Sequence, residues 1–598
     1  MLFGHHINRY YLKYAPQLIF GIFALLLVDY MQLIVPELYR TVVNGIGTGF
    51  AVIDGETVPF TMTVLLDHVC LPLVFVILLM VFGRFLWRVC FFGVAVRLET
   101  DLRYRMFDRC KDLSQQFYEK NKVGALMSLF TNDIDTIQDC FSWGVLMFCD
   151  ALALGTLAFI KMAQMDLTLT LLAMIPMAIL LFSGFILSKY LMLKWDKRQE
   201  AYSTLSDFSQ ESFAGIAVIK AFVKQSKELM AFRRLNKENE DRNVEYTRLS
   251  VLLNVSVTLL VESVICVILG YGGYLVFQGK FDAGMLVEFI GYFTAIVWPI
   301  MAVSQLIEMT SRGKASLDRV GELLDQKADV ADGEHVKAPD HMDASIEFRH
   351  LSFTYPYSER EVLTDVSFRI EPGESVGIVG KTGSGKTTLV DLILRTYNVR
   401  RGTLFVGSHD VCDIPIRTVR EHAAYVPQDG FLFSDTIERN IAFASDGDDH
   451  ADVENAAVAA DVHENIAAFP LGYETVLGER GVTVSGGQKQ RISIARALMK
   501  NADILILDDA VSAVDVKTEK AILARLHELR KGKTTVMIAH RISTIEGMDK
   551  IIYIEDGRIE AIGTHEHLLK VNESYRAMVE LQKLSEREKA ESEVAHHA

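Results

Sequence analysis

The stretch SVGIVGKTGSGKTTLVDLILRTY, Ser375 to Tyr397, decides how the second half of this chain folds. SVGIVG reads as a buried strand, GKTGSGKT (Gly380 to Thr387) as a glycine-rich turn, and TTLVDLILRTY as a helix. Strand, glycine loop and helix in that order form the context in which a P-loop works. The glycines let backbone N–H groups wrap a phosphate at the helix N-terminus. Lys386 can reach the β- and γ-phosphates, and the Thr387 hydroxyl can ligate magnesium. Gly380, Thr382, Gly383, Ser384, Gly385, Lys386, Thr387 and Thr388 are therefore the expected nucleotide contacts.

Outward from this loop, a domain starting near Ser345 alternates short apolar strands (SVGIVG, AAYVPQ, ILILDD, TTVMIAH) with helical stretches. That alternation indicates an α/β domain with a largely parallel sheet. ILILDD ends in two acids, Asp508 and Asp509. A second anion site precedes it in VSGGQKQRISIARALMK, where Ser485, Gly486, Gly487 and Gln488 open a long helix whose free N–H groups and dipole favour a phosphate. One nucleotide cannot use both ends of one domain. The pair makes sense if two such domains associate head to tail, each presenting this turn to the other's P-loop.

The first half is different in kind. The mean hydropathy of +0.21 averages two unlike regions. Six apolar runs near the roughly 20-residue spanning length lie at Ala15–Pro36, Val64–Arg84, Phe141–Ile160, Leu167–Leu187, Leu252–Leu275 and Met285–Ile307. The long segments after the second and fourth runs carry Arg97, Arg103, Arg105, Arg109, Lys120, Lys122, Lys194, Lys197, Arg198, Lys220, Arg233 and Arg234. The opposite connections hold few basic residues, so both termini and the α/β domain are expected in the cytoplasm. No small-residue cleavage site follows the first run, which is not read as a removed signal peptide.

The expected organisation is a membrane domain over 1–320, a polar linker over 321–344, a nucleotide-binding domain over 345–582 and a charged tail over 583–598. The formal charge of −15 reads as a solvated acidic surface, and no basic patch points to nucleic acid. The seven cysteines show no CxxC spacing and imply neither a disulfide framework nor a zinc site.

With its P-loop, its VSGGQ turn and its ILILDD strand in one domain behind six apolar runs, the chain resembles the ATP-binding cassette family, and its exporter half-transporters in particular. The resemblance covers nearly the whole chain. It implies a six-helix, exporter-type (type IV) membrane domain fused to an α/β P-loop domain, with ATP and magnesium as ligands and a second half-transporter as partner. It also implies site roles. Tyr355 in SFTYP stacks on adenine, Gln428 in YVPQDG senses magnesium and Asp508 ends the Walker B strand. His540 contacts the γ-phosphate, while Ser485, Gly486, Gly487, Gln488 and Asp515 serve nucleotide held by the partner. TVLGERG looks like the exporter-type contact with the partner's helices, and two short coupling helices are expected near Tyr118–Met127 and Gln210–Ile219.

Two positions depart from the family pattern: Val484 stands where leucine is usual, and Asp509 where a catalytic glutamate is usual. The first is a small apolar exchange. The second withdraws a carboxylate by about 1.5 Å, one C–C bond, when a general base must come within roughly 2.6–3.2 Å of its proton or act through one water. The chain thus looks like the degenerate-site member of a heterodimeric bacterial multidrug exporter in the plasma membrane. A lipid or peptide translocase and an ATP-gated channel or regulatory subunit are the alternatives. Asp29, Asp150, Glu262 and Glu288 fall inside expected spans, where ionisable groups are costly. With Trp298 nearby in the last span, they suggest a cavity for amphipathic organic cations.

Overall fold

The computed structural model describes residues 4–53, 56–333, 336–445, 449–478, 481 and 484–584, with the side chains at 180, 181, 183–189 and 304 outside the description. The chain divides into two compact units, Met1–Lys111 with Val123–Gln326, and Asp112–Lys122 with Lys327–Ala598.

The first unit is helical. Among the described residues, five helices are long and apolar enough to cross a membrane: Ala15–Thr48, Met62–Asp112, Val123–Met165, Gln225–Phe277 and Ala283–Asp325. Each contains one of the expected runs. The remaining run, Leu167–Leu187, falls on the helix Leu167–Ala214, whose described apolar part is Leu167–Ile179. The six-span count is therefore not established by the described residues, because the side chains that complete that run lie outside them. On Met62–Asp112, Phe75, Leu78, Phe82 and Phe85 are exposed. In water that stripe would be costly, whereas hydrocarbon accepts it. A hairpin unforeseen in the sequence, Phe50–Ile53 paired antiparallel with Glu56–Pro59, follows the first of these helices.

The expected coupling helices need moving. The short helix Gln115–Lys120 belongs to the second unit, and a separate helix, Val123–Ser128, belongs to the first. The second short helix is Ile216–Ala221, because Leu167–Ala214 continues through Gln210 and only Gly215 separates the two.

The second unit is built on a six-stranded sheet. Its inner strands Ser375–Val379, Thr534–Ile538 and Ile504–Asp508 run parallel and read as near-continuous apolar segments, as strands covered on both faces must. Ile504–Asp508 and Thr534–Ile538 are buried throughout. Ala423–Val426 pairs parallel with Ile504–Asp508 on the far side. A four-stranded antiparallel sheet of Ile346–Thr354, Glu361–Ile370, Leu404–Val406 and His409–Asp410 lies in the same unit. The parallel register sets Ile538 beside both Asp508 and Ile378, so these strands end together at one sheet edge. Ligands of open α/β sheets bind at such carboxyl ends.

Candidate nucleotide site

Each strand end delivers one expected residue. After Ser375–Val379 comes Gly380, where an added Cβ would meet the Ile554 carbonyl oxygen at 2.1 Å, so the backbone itself excludes a side chain. The loop closes through Gly385 at φ +96°, in the left-handed region that suits glycine, and the helix Lys386–Ile393 begins. Ile504–Asp508 ends on the first acid and Asp509 follows it, after Thr534–Ile538 comes His540, and after Ala423–Val426 comes Gln428.

Together they enclose a cavity of about 320 Å³ lined by Tyr355, Lys386, Thr387, Gln428, Asp508 and His540, with Thr382, Gly383, Gly385 and Thr388 around the loop. Lys386 is 6% exposed and donates from Nζ to the carbonyls of Gly380 (2.9 Å) and Lys381 (2.8 Å). Burial lowers the pKa of its ammonium, and the charges of Asp508 and Asp509 oppose that shift. Burial raises the Asp508 carboxyl; a hydrogen bond with Thr387 counters it, Asp509 adds to it, and Lys386 and His540 counter it again. Tyr355 shares a hydrogen bond with Thr388 (Oη to Oγ1, 2.9 Å) and meets the Tyr397 ring edge-on at 5.1 Å. Within the same unit, Tyr397 donates from Oη to Glu119 Oε1 at 2.6 Å.

Two buried oxygens here, Ser384 Oγ in the loop and Asp508 Oδ2 at the strand end, have no partner among the described residues. Buried polar atoms left unpaired are costly, so both point to a ligand. An oxygen set of Thr387 and Asp508 beside a glycine loop fits a hard divalent cation and a polyphosphate.

Asp509 does not line this cavity. It sits at φ +48°, and its backbone is held from several sides. Its N–H donates to the Ile538 carbonyl at 2.9 Å, and its own carbonyl accepts from Ser512 Oγ (2.9 Å) and Gln490 Nε2 (3.3 Å).

At the signature turn Ser485 caps the helix Gly486–Met499. Its Oγ accepts from the Gln488 N–H at 3.3 Å while Gln488 Oε1 accepts from the Ser485 N–H at 2.9 Å, a reciprocal capping box. Ser485 and Gly486 are exposed, and Gly487 and Gln488 are half-buried. Asp515 is exposed and caps the helix Val516–Leu529, accepting from Lys517 (3.1 Å) and Thr518 (3.0 Å) N–H groups. Hydrogen bonding from Thr518 holds its carboxyl below the ordinary value. In TVLGERG, Glu479 and Arg480 lie outside the described residues.

Sequence reading missed three side chains that organise these loops. Gln490, 6% exposed, joins signature helix to acid loop: its Oε1 accepts from Ala513 N–H at 2.9 Å, and its Nε2 faces Asp509 and Ser512. Glu519 pairs with Arg541 at 3.2 Å, and Gln582 bonds to the loop of His540. A buried polar residue one turn inside a capped helix was the available signal for Gln490 and Glu519.

In the first unit the expected substrate acids do not form one group. Asp29 and Asp150 are hydrogen-bonding neighbours, and the Trp298 indole N–H donates to Asp150 Oδ2 at 2.9 Å. Asp29 is 2% exposed, and its Oδ2 lacks a partner among the described residues. Glu288 is instead bound by Arg40 (3.2 Å) and by the Tyr292 hydroxyl (2.9 Å), in the second turn of its helix, where a long arginine can reach the membrane boundary. Glu262 is exposed on Gln225–Val267. Helical phase, invisible in a list of acids, separates these two from the pair.

Residues 18–300 match the ABC transporter transmembrane region family, and residues 363–512 match the ABC transporter family. The chain is 36% identical to the probable multidrug resistance ABC transporter ATP-binding/permease protein YheI of Bacillus subtilis (strain 168), over 97% of both. It is 34% identical to the ATP-dependent lipid A-core flippase of Syntrophus aciditrophicus (strain SB), over 82% of this chain and 81% of that one. Among solved structures, a bacterial Atm1-family ABC exporter with ATP bound superposes with a TM-score of 0.79 at 26% identity, over 95% of this chain and 98% of the other. The chain thus belongs to the ABC transporter family as an integral membrane exporter whose ATPase domain is coupled to transport.

Proposed function

We propose that this chain is one half of a multidrug exporter that moves amphipathic organic cations, and that it pairs with a different half-transporter carrying the competent catalytic glutamate. The observation that carries this reading is the backbone of Asp509. A shorter acid could act as base only if its loop advanced, and here the N–H is tied to Ile538 and the carbonyl to Ser512 and Gln490. Advancing it breaks hydrogen bonds worth about 0.5–1.5 kcal/mol each. Binding groups are intact. The P-loop and Lys386 take ATP phosphates, Tyr355 the adenine and His540 the outer phosphate, while Gln428 senses the magnesium. Thr387 and Asp508 would hold magnesium, which supplies charge neutralisation. Ser485, Gly486, Gly487, Gln488 and Asp515 face the partner's nucleotide, where hydrolysis proceeds. Nucleotide binding closes the two cassettes and turns the spans from inward-open to outward-open.

The cation preference rests on Asp29, Asp150 and Trp298, contributed by three helices near mid-span. A buried carboxylate oxygen there without a partner among the described residues, Asp29 Oδ2, is expensive, and the indole face adds cation–π attraction. The basic residues after the second and fourth apolar runs support a bacterial plasma-membrane protein with its termini and nucleotide unit in the cytoplasm. The test is ATP-driven uptake of a cationic and a neutral dye into liposomes holding the two-chain complex. Preferential uptake of the cationic dye is expected; uptake of neither contradicts drug export. Flipping of a fluorescent lipid in the same liposomes would favour the second reading, lipid translocation, which the flippase relative supports.

A further inference from the structure

Beyond the expected contacts, the helix over residues 573–584 docks on the nucleotide unit along one face. Tyr575 (0% exposed) and Val579 (2%) enter the core, and Gln582 follows at the next position of that stripe. The Gln582 amide meets the loop of His540 twice. Its Nε2 donates to the His540 carbonyl at 2.8 Å, and its Oε1 accepts from the Ile542 N–H at 2.8 Å. Ile542 opens the short helix Ile542–Ile545, so this N–H has no partner within the helix. On the other side, Glu519 in the helix capped by Asp515 pairs with Arg541 and Thr544.

We infer that Gln582 is a positioning residue for the nucleotide site: it clamps the backbone of the loop that presents His540, so that the C-terminal helix sets where the imidazole lies. The amide is suited to this because a single side chain supplies both a donor and an acceptor, spanning a carbonyl and an N–H on either side of Arg541. Without it, the loop swings about the Glu519 contact and His540 samples positions away from the cavity. Docking of the helix by Tyr575 and Val579 survives the loss, since neither packs through the amide.

The inference rests on His540 facing nucleotide bound by this chain's own P-loop, and the experiment separates the two. Turnover and nucleotide dependence are measured on the full transporter carrying Asp509→Glu in this chain and a Glu→Gln change at the partner's catalytic glutamate, so that only this chain's own site hydrolyses, with Gln582→Ala, Gln582→Glu, His540→Ala and the double variant Gln582→Ala/His540→Ala. The expected result is a kcat lowered about three- to tenfold by Gln582→Ala, with KM nearly unchanged, the size of one or two lost hydrogen bonds. Gln582→Glu, which keeps the acceptor for Ile542 but turns an oxygen on the His540 carbonyl, falls similarly. The double variant is no slower than His540→Ala alone. Unchanged kcat in Gln582→Ala while His540→Ala is slow overturns the inference, as do effects that multiply in the double variant. Silence of both single variants overturns it through the role of His540 itself.

Discussion

The two nucleotide-facing ends of the second unit differ in how they are held. At the P-loop end Lys386 is buried and tied to two loop carbonyls, and Asp509, whose backbone is held by Ile538, Ser512 and Gln490, is not among the residues that line the cavity. At the signature end Ser485 and Gly486 are exposed at the start of a capped helix. Under the function proposed above, one fold keeps the means to bind nucleotide while its chemistry depends on a second subunit. Gln490 bridges the two ends, so the geometry of one is imposed on the other.

The strongest way to break this comparison is to damage each end separately in the purified two-chain complex. Ser485→Ala is expected to lower ATP turnover by roughly 10²-fold, the usual cost of losing a donor aimed at developing charge. Lys386→Ala should weaken nucleotide binding to this chain while reducing turnover only a few-fold. Equal losses would mean both sites work alike.

A gain of function sharpens the same point. Asp509→Glu restores the missing methylene and should add a second hydrolysing site, raising turnover up to about twofold, with ADP then recovered from this chain's own P-loop. No added hydrolysis would place the defect elsewhere in the site.

Parallel-strand runs, glycine spacing and the order of motifs made the nucleotide unit legible from sequence, because each encodes a backbone requirement. The Phe50–Ile53 hairpin escaped notice between two apolar runs, and Gln582 did so because its role depends on a loop about 40 residues away. The surroundings of the four acids were hidden for a related reason. Composition places Asp29, Asp150, Glu262 and Glu288 in spans, but only helical phase shows that Arg40 pairs with Glu288 and that Glu262 is exposed.

That difference in surroundings makes a graded prediction. Asp29→Asn and Asp150→Asn should each shift discrimination between cationic and neutral dyes by about three- to tenfold in transport assays. Glu262→Gln should leave it unchanged. A uniform response of all three would return the acids to a general field effect.

The smallest effect concerns Asp391, on the P-loop helix. Burial first, then Asp508 and Glu119, push its carboxyl up to about 6 from 3.8. A carboxyl whose folded pKa is raised contributes stability below its ordinary pKa and loses it as pH rises to the folded value. Asp391→Asn should therefore match the parent's melting temperature below about pH 4 and exceed it by a few degrees above about pH 6. A constant offset at every pH would remove titration from the explanation.

The central claim, that this chain's own site is the slow one, is tested most directly by purifying the chain without a second kind of subunit and measuring its ATP turnover beside that of the two-chain complex. Any homodimer then carries Asp509 at both sites. Turnover at least about tenfold below the complex is the predicted result. Equal turnover would show that Asp509 is a working base despite its pinned backbone, and the division of labour between two different chains would be wrong.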